Sequence, residues 1–193
     1  MTTPLTETHP KPLPEGSLLA AIDIGSNSFH LILAKVEHGE MRPVETLAEK
    51  VQLGAGLSNG VLSQEAIERG LDCLSRFAQV LASVEPSKIR AVGTNALRVA
   101  RNRRDFTWPA SRILGAEIDV VYGAEEARLV YLGVAHTLAD DAHSRLVVDI
   151  GGGSTEFIVG QRFEPQHLES LQMGCVSYSN QFFKKGKITN NCF

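Results

Sequence analysis

Asp23-Ile24-Gly25-Ser26-Asn27-Ser28, with Ile32 four residues on, returns later in the chain as Asp149-Ile150-Gly151-Gly152-Gly153-Ser154, with Ile158 at the same spacing. Each copy has a carboxylate near the end of an apolar run, then small residues, then a second apolar run. That is the pattern of strand, tight turn and strand. The neighbourhood repeats as well: Glu49-Lys50-Val51-Gln52-Leu53-Gly54 follows the first turn, and Glu169-Ser170-Leu171-Gln172-Met173-Gly174 follows the second. One Gly-rich hairpin proves little, but two matches in the same order mark a duplicated β-β-β unit.

Working outward from the first turn, strands are expected over 18–24 and 29–36, rich enough in apolar residues to be buried on both faces, and a third over 43–53. Ser63 opens a helix with Glu65 in its first turn and Ile67, Leu71, Leu74, Phe77, Ala78 and Leu81 at three- and four-residue steps; Pro86 ends it. A strand over 89–92 runs through Gly93-Thr94-Asn95 into a helix near Ala96. Another strand, 118–121, precedes a helix from Gly123 with Ala127, Val130, Tyr131 and Val134 on one face, and strands over 145–150 and 156–159 flank the second turn. A duplicated β-β-β-α-β-α unit is the plan of the ribonuclease-H-like, actin-like α/β fold, in which two domains face each other and each lends a turn to phosphate. The expected division is a flexible leader over 1–17, a first actin-like domain over 18–140, and over 141–193 the start of a second, incomplete copy.

The 193 residues are 43% apolar and 21% charged, enough to bury a core. A net charge of −3 lacks the basic footprint of a nucleic-acid binder, so nucleic acid is not an expected partner. Three cysteines, Cys73, Cys175 and Cys192, form no CxxC pair, which suits a reducing compartment. No apolar stretch reaches the roughly 18 residues of a membrane span. The expected location is the cytoplasm, free or peripheral to a membrane.

The turns suit phosphate. Glycine admits close backbone approach and positive φ, so that successive amides can form an anion nest. Ser26, Asn27, Ser28, Ser154 and Thr155 add side-chain donors around Gly25, Gly151, Gly152 and Gly153. Asp23 and Asp149 would repel phosphate unless a hard cation, Mg²⁺ or another divalent ion, lies between them and its oxygens. Either turn alone could equally be an ordinary hairpin with an Asp closing it. In the helix from Gly123, Glu125 and Glu126 sit in the first turn, where the dipole favours acids in any case, and about 100° separates them, so at most one can face a ligand.

Five spaced motifs together carry a resemblance: Asp23 to His30, Val92 to Arg98, Gly123 to Arg128, Asp149 to Glu156, and Met173-Gly174-Cys175-Val176. The chain from Ala20 to about Gly174 resembles the exopolyphosphatase / guanosine-pentaphosphate phosphatase family of the actin-like phosphotransferase superfamily. The resemblance implies Glu126 as the general base that activates water, with Glu125 its competitor, and Arg98 as the phosphate-binding guanidinium beside the Thr94-Asn95 corner. It implies Asp149 as metal ligand, with Glu156 a second acidic group and Asp23 a third. His30 stands where Glu156 stands in the second copy and is given no catalytic role; Arg101, Arg103 and Arg104 read as solvated surface.

The implied reaction is hydrolysis of the terminal phosphoanhydride of inorganic polyphosphate, with guanosine pentaphosphate as alternative substrate. The three consecutive glycines lean towards the polyphosphate-degrading branch. Two readings of another class are an actin-like-fold kinase and a truncated, non-catalytic piece, in which case the 193 residues alone make a poor enzyme. A homodimer is expected of a full-length relative.

Overall fold

The computed structural model describes residues 13–183. Most of the expected leader (residues 1–12) and the tail from residue 184, including Cys192, lie outside the described residues. β1 (Leu18–Ile24), β2 (Phe29–Glu37) and β3 (Glu40–Glu49) form an antiparallel meander. A 3-10 turn at Leu53–Gly56 and a two-stranded ribbon, β4 (Leu57–Ser58) with β5 (Val61–Leu62), lead into α1 (Gln64–Val80). β6 (Ile89–Gly93) pairs in parallel with β1, and after α2 (Asn95–Val99) and α3 (Arg104–Leu114), β7 (Ile118–Val120) pairs in parallel with β6. The sheet order is β3-β2-β1-β6-β7. α4 (Gly123–Thr137) then leads to an antiparallel sheet of order β10-β9-β8, built from β8 (Ser144–Ile150), β9 (Thr155–Gln161) and β10 (Glu164–Leu171), and α5 (Cys175–Phe182) follows it. The chain has the actin-like α/β architecture: one ribonuclease-H-like unit, then the three-stranded opening of its repeat.

The main core lies between the first sheet and α1 and α3. The Ser63 hydroxyl caps α1, accepting from the Ala66 amide at 3.3 Å, and the helix buries Ala66, Ile67, Gly70, Cys73, Leu74 and Phe77 at the expected spacing. Phe29 of β2 meets Phe106 of α3 edge to face, with centroids 6.1 Å apart. A second, smaller core joins α4 to the second sheet through Ala127, Tyr131, Ala135 and Ile158.

Three expectations are corrected. The strands are half-buried rather than buried on both faces: in β1, Ala20, Ile22 and Ile24 face the core while Ala21 and Asp23 are open. Helices cover that one face, and Asp23 is thereby left on the open one. The third strand spans 40–49, not 43–53. Gln52 adopts a left-handed conformation (φ 55°), and the amides of Gln52 and Gly54 bond to Asn27 O and Ser26 O of the first turn, both at 2.8 Å, so the chain leaves the sheet to support that turn. Pro43 is tolerated because β3 is an edge strand, with the ladder shifting register between Leu33 and Ala34. Finally, the helix expected near Ala96 is two: Ala100 turns extended after α2, and the chain restarts as α3 at Arg104.

Candidate active site

The two turns close identically. Gly25 N donates to Ser28 O at 3.2 Å, and Gly151 N to Ser154 O at 2.9 Å. Asp23 pairs with His30 across the first hairpin as Asp149 pairs with Glu156 across the second. The downstream glycines also correspond: a Cβ on Gly54 would lie 3.0 Å from Ser26 Cβ, and one on Gly174 would lie 2.4 Å from the Gly152 carbonyl carbon and Gly153 nitrogen.

The glycines of these turns serve close approach rather than positive φ, which among the described glycines occurs only at Gly16, Gly39, Gly60 and Gly115. The turns touch. A Cβ on Gly152 would stand 3.0 Å from Asn27 N, and one on Gly153 would stand 2.2 Å from Asn95 Oδ1. Asn95 is held in place by its amide bonding to Gln172 Oε1 at 2.8 Å. The Gly152-Gly153 pair thus lets the two turns and the Thr94-Asn95 corner pack closely together.

Both turns, the Thr94-Asn95 corner, Asp23, Asp149 and Glu126 line one cleft of about 240 Å³. That is smaller than the roughly 300–1,000 Å³ of pockets for drug-sized ligands and suits a phosphate group. Of the expected phosphate-binding set, Gly25, Ser26, Asn27, Ser28, Thr94, Asn95, Gly151, Gly152, Gly153 and Ser154 all border it. Ser26 does a second job, its Oγ accepting from the Ala96 amide at 3.0 Å to start α2. Thr155 is not brought to the cleft; it is buried and donates its hydroxyl to Met173 O.

The two candidate bases separate clearly. Glu125 is exposed and paired with Arg128 at 2.7 Å, which holds its carboxyl below the usual range. Glu126 turns inward, 14% exposed, its Oε2 accepting from Arg98 Nη1 at 2.9 Å. Arg98 Nη1 also donates to Val121 O at 2.9 Å, fixing the guanidinium between α2 and the start of α4. Burial pushes the Glu126 carboxyl up to about 7; Arg98 opposes the rise, while Glu156 and Asp23 add to it. Asp23 is also raised, first by the protein around it, with His30 opposing and Asp149 adding.

Glu156 lies behind the cleft, fully buried, accepting from the Ser170 hydroxyl at 2.8 Å through Oε1. Its Oε2 and Arg98 Nη2 are both buried without a hydrogen-bond partner among the described residues. No cluster of three His, Cys, Asp or Glu side chains set to hold a metal is found among the described residues. Asp23 and Asp149, two like charges at one cleft, suit a hard cation that needs only one or two carboxylates and takes its other ligands from water and phosphate. Sequence reasoning missed Ser170, Gln172 and Gly123 as parts of the site. The first two lie in the repeated segment after the second turn, which could have flagged them.

Paired turns closing on one small cleft, with an inward carboxylate bonded to an arginine, place the chain in the actin-like class. Within that class the chain belongs to the Ppx/GppA phosphatase family, whose sequence profile matches residues 31–193. A guanosine-5'-triphosphate,3'-diphosphate pyrophosphatase of Aliivibrio fischeri is 49% identical over 177 residues, 91% of this chain and 35% of that protein. A solved exopolyphosphatase from Cytophaga hutchinsonii superimposes with a TM-score of 0.81 at 30% identity, covering 86% of this chain and 54% of that one. The Aquifex aeolicus PPX-GPPA enzyme gives 0.72 at 31% identity, covering 88% and 56%. The chain thus spans about a third of the length of the curated relatives it matches and about half of those solved structures.

Proposed function

We propose that this chain carries the phosphate-binding and base-bearing part of a phosphohydrolase that removes the terminal phosphate from a phosphoanhydride chain, inorganic polyphosphate in the first reading. The observation that carries this is Glu126: one inward carboxylate at a phosphate-sized cleft, with a pKa of about 7, where a general base works best at neutral pH. Its neighbours fit the reaction. The amides of Asn27, Gly152 and Gly153 would receive phosphate oxygens, while Arg98, which does not border the cleft itself, holds Glu126 at its wall. Glu126 would orient the attacking water and take its proton. A divalent cation, Mg²⁺ in the first instance, would be held by Asp149 with Asp23 and would supply charge neutralisation of the phosphate. Free thiols at Cys73 and Cys175 agree with a cytoplasmic setting, and no helix among the described residues is long and apolar enough to cross a membrane.

The test is orthophosphate release from long-chain polyphosphate by a full-length protein carrying this segment. Glu126→Gln should lower kcat by about 10²–10⁴-fold with little change in KM, and an unmodified rate would sink the assignment. Guanosine pentaphosphate is the second reading, favoured by the 49% identity to the Aliivibrio fischeri protein. The ratio of kcat/KM for the two substrates decides between them.

A further inference from the structure

Ser170 has no part in the reading above, yet three features of the site meet at it. It stands opposite Glu156 in the β9–β10 ladder and gives that buried carboxylate its hydrogen bond, 2.8 Å long. It also bears on the first residue of α4: a Cβ on Gly123 would fall 2.5 Å from both Cβ and Oγ of Ser170 and 3.9 Å from Arg98 Nη2. Only a glycine lets α4 start so close to β10, and Glu126 follows within one helical turn.

We propose that Ser170 is a positioning residue for the Arg98–Glu126 pair. It acts through Glu156, which it holds beside the pair, and through Gly123, which it stops at a fixed height over β10. The inference rests on the reading of Glu126 as base. A buried carboxylate with an empty acceptor is costly, and so is a buried guanidinium with an empty donor. Here the unpartnered Arg98 Nη2 lies by the start of α4, and Glu156, whose Oε2 is unpartnered, is bonded to the serine that touches that start. Nη2 is closed off beside the start of α4, and Glu156 is near enough to add to the rise of the Glu126 carboxyl. Without the serine hydroxyl, Glu156 would lose its only partner among the described residues and be free to rotate onto Arg98. That would pull the guanidinium off Glu126 and displace the base. The hairpin itself does not demand the pair. In the first copy the matching positions are His30 and Lys50, and there His30 stands opposite Ala48.

The experiment compares Ser170→Ala, Glu156→Gln and the double variant with the unmodified full-length protein, on whichever of polyphosphate or guanosine pentaphosphate it hydrolyses. Ser170→Ala should lower kcat about tenfold and leave KM within about twofold, the mark of misplacement rather than lost binding. If the serine acts through Glu156, the double variant is no slower than Glu156→Gln alone. A double variant slowed by the product of the single effects overturns the proposal, and so does a Ser170→Ala protein with normal kcat. If neither substrate is hydrolysed, the functional reading fails, and melting the same four proteins judges the contact. Additive shifts in Tm then overturn it, and non-additive shifts uphold it. Should Ser170→Ala not fold, Ser170→Cys, close in size and a weaker donor, replaces it with the same expectations.

Discussion

At the residue scale, Glu126 couples activity to pH in two ways. With its carboxyl raised to about 7, kcat/KM should climb through neutrality on an acid limb that Glu126→Gln abolishes, provided the base reading holds. A pH profile of the full-length protein with no inflection between pH 6 and 8 would count against it. Stability moves the other way. A carboxyl that binds its proton more tightly when folded than its ordinary value of 4.5 stabilises the fold below that value, and this contribution is lost as pH rises through about 7. The full effect is on the order of 3 kcal/mol. Glu126→Gln removes that dependence, so its melting temperature should fall less than the unmodified protein's between pH 5 and pH 8; parallel curves would show that Glu126 is not raised. The sequence placed Glu125 and Glu126 together but could not choose between them, since both gain from the helix dipole. The choice depends on Arg98, 28 positions away, which holds Glu126, and on Arg128, which holds Glu125. The repeat could have drawn attention to Ser170 but not to its contact, which depends on a glycine of another element standing where a Cβ would collide.

At the element scale, the repeated hairpins were legible because each is local: a carboxylate, a turn of small residues and two apolar runs. What the repeat did not reveal is that the turns press on each other, nor that α5 is pinned to the second one, its first amides bonding from Cys175 to Gly151 O at 2.9 Å and from Val176 to Gly152 O at 2.8 Å. Those amides are used within the protein, so the start of α5 is an anchor and not a ligand site. Nothing in Cys175–Phe182 marks a helix strongly, and the third-strand boundary was misplaced because Val51 and Leu53 are apolar for packing around the turn and not for the sheet. The packing gives a paired prediction. Gly174→Ala puts a methyl 2.4 Å from the backbone of the second turn, which cannot yield cheaply, and should cost about 1–3 kcal/mol. Gly133→Ala in α4 meets nothing within 4 Å and should stabilise by about 0.5–1 kcal/mol through helix propensity alone. Denaturant unfolding of the two variants checks both signs, and equal effects would mean that α5 and the turn are not packed as described.

At the scale of the whole molecule, the two copies differ in what covers them. Ala20, Ile22 and Ile24 of β1 are 5%, 1% and 0% exposed, sealed by α1 with β6 alongside. Their counterparts in β8, Leu146, Val148 and Ile150, are 65%, 44% and 70% exposed, and β8 is an edge strand of its sheet. An apolar face beside unpaired backbone donors and acceptors invites another strand. The 193-residue chain should therefore self-associate as its concentration rises, measured by light scattering on a sizing column. Leu146→Lys with Val148→Lys, both on the open face and outside the cleft lining, should restore a monomer without loss of secondary structure. The competing cause is the ordinary surface: Trp108 and Tyr122 are also exposed, at 68% and 80%. Trp108→Lys and Tyr122→Lys, made singly, are thus the controls. If the lysines in β8 leave association unchanged while either control abolishes it, the β8 face is not the cause. If the unmodified chain stays monomeric at every concentration reached, no described surface draws copies together and the expectation fails outright.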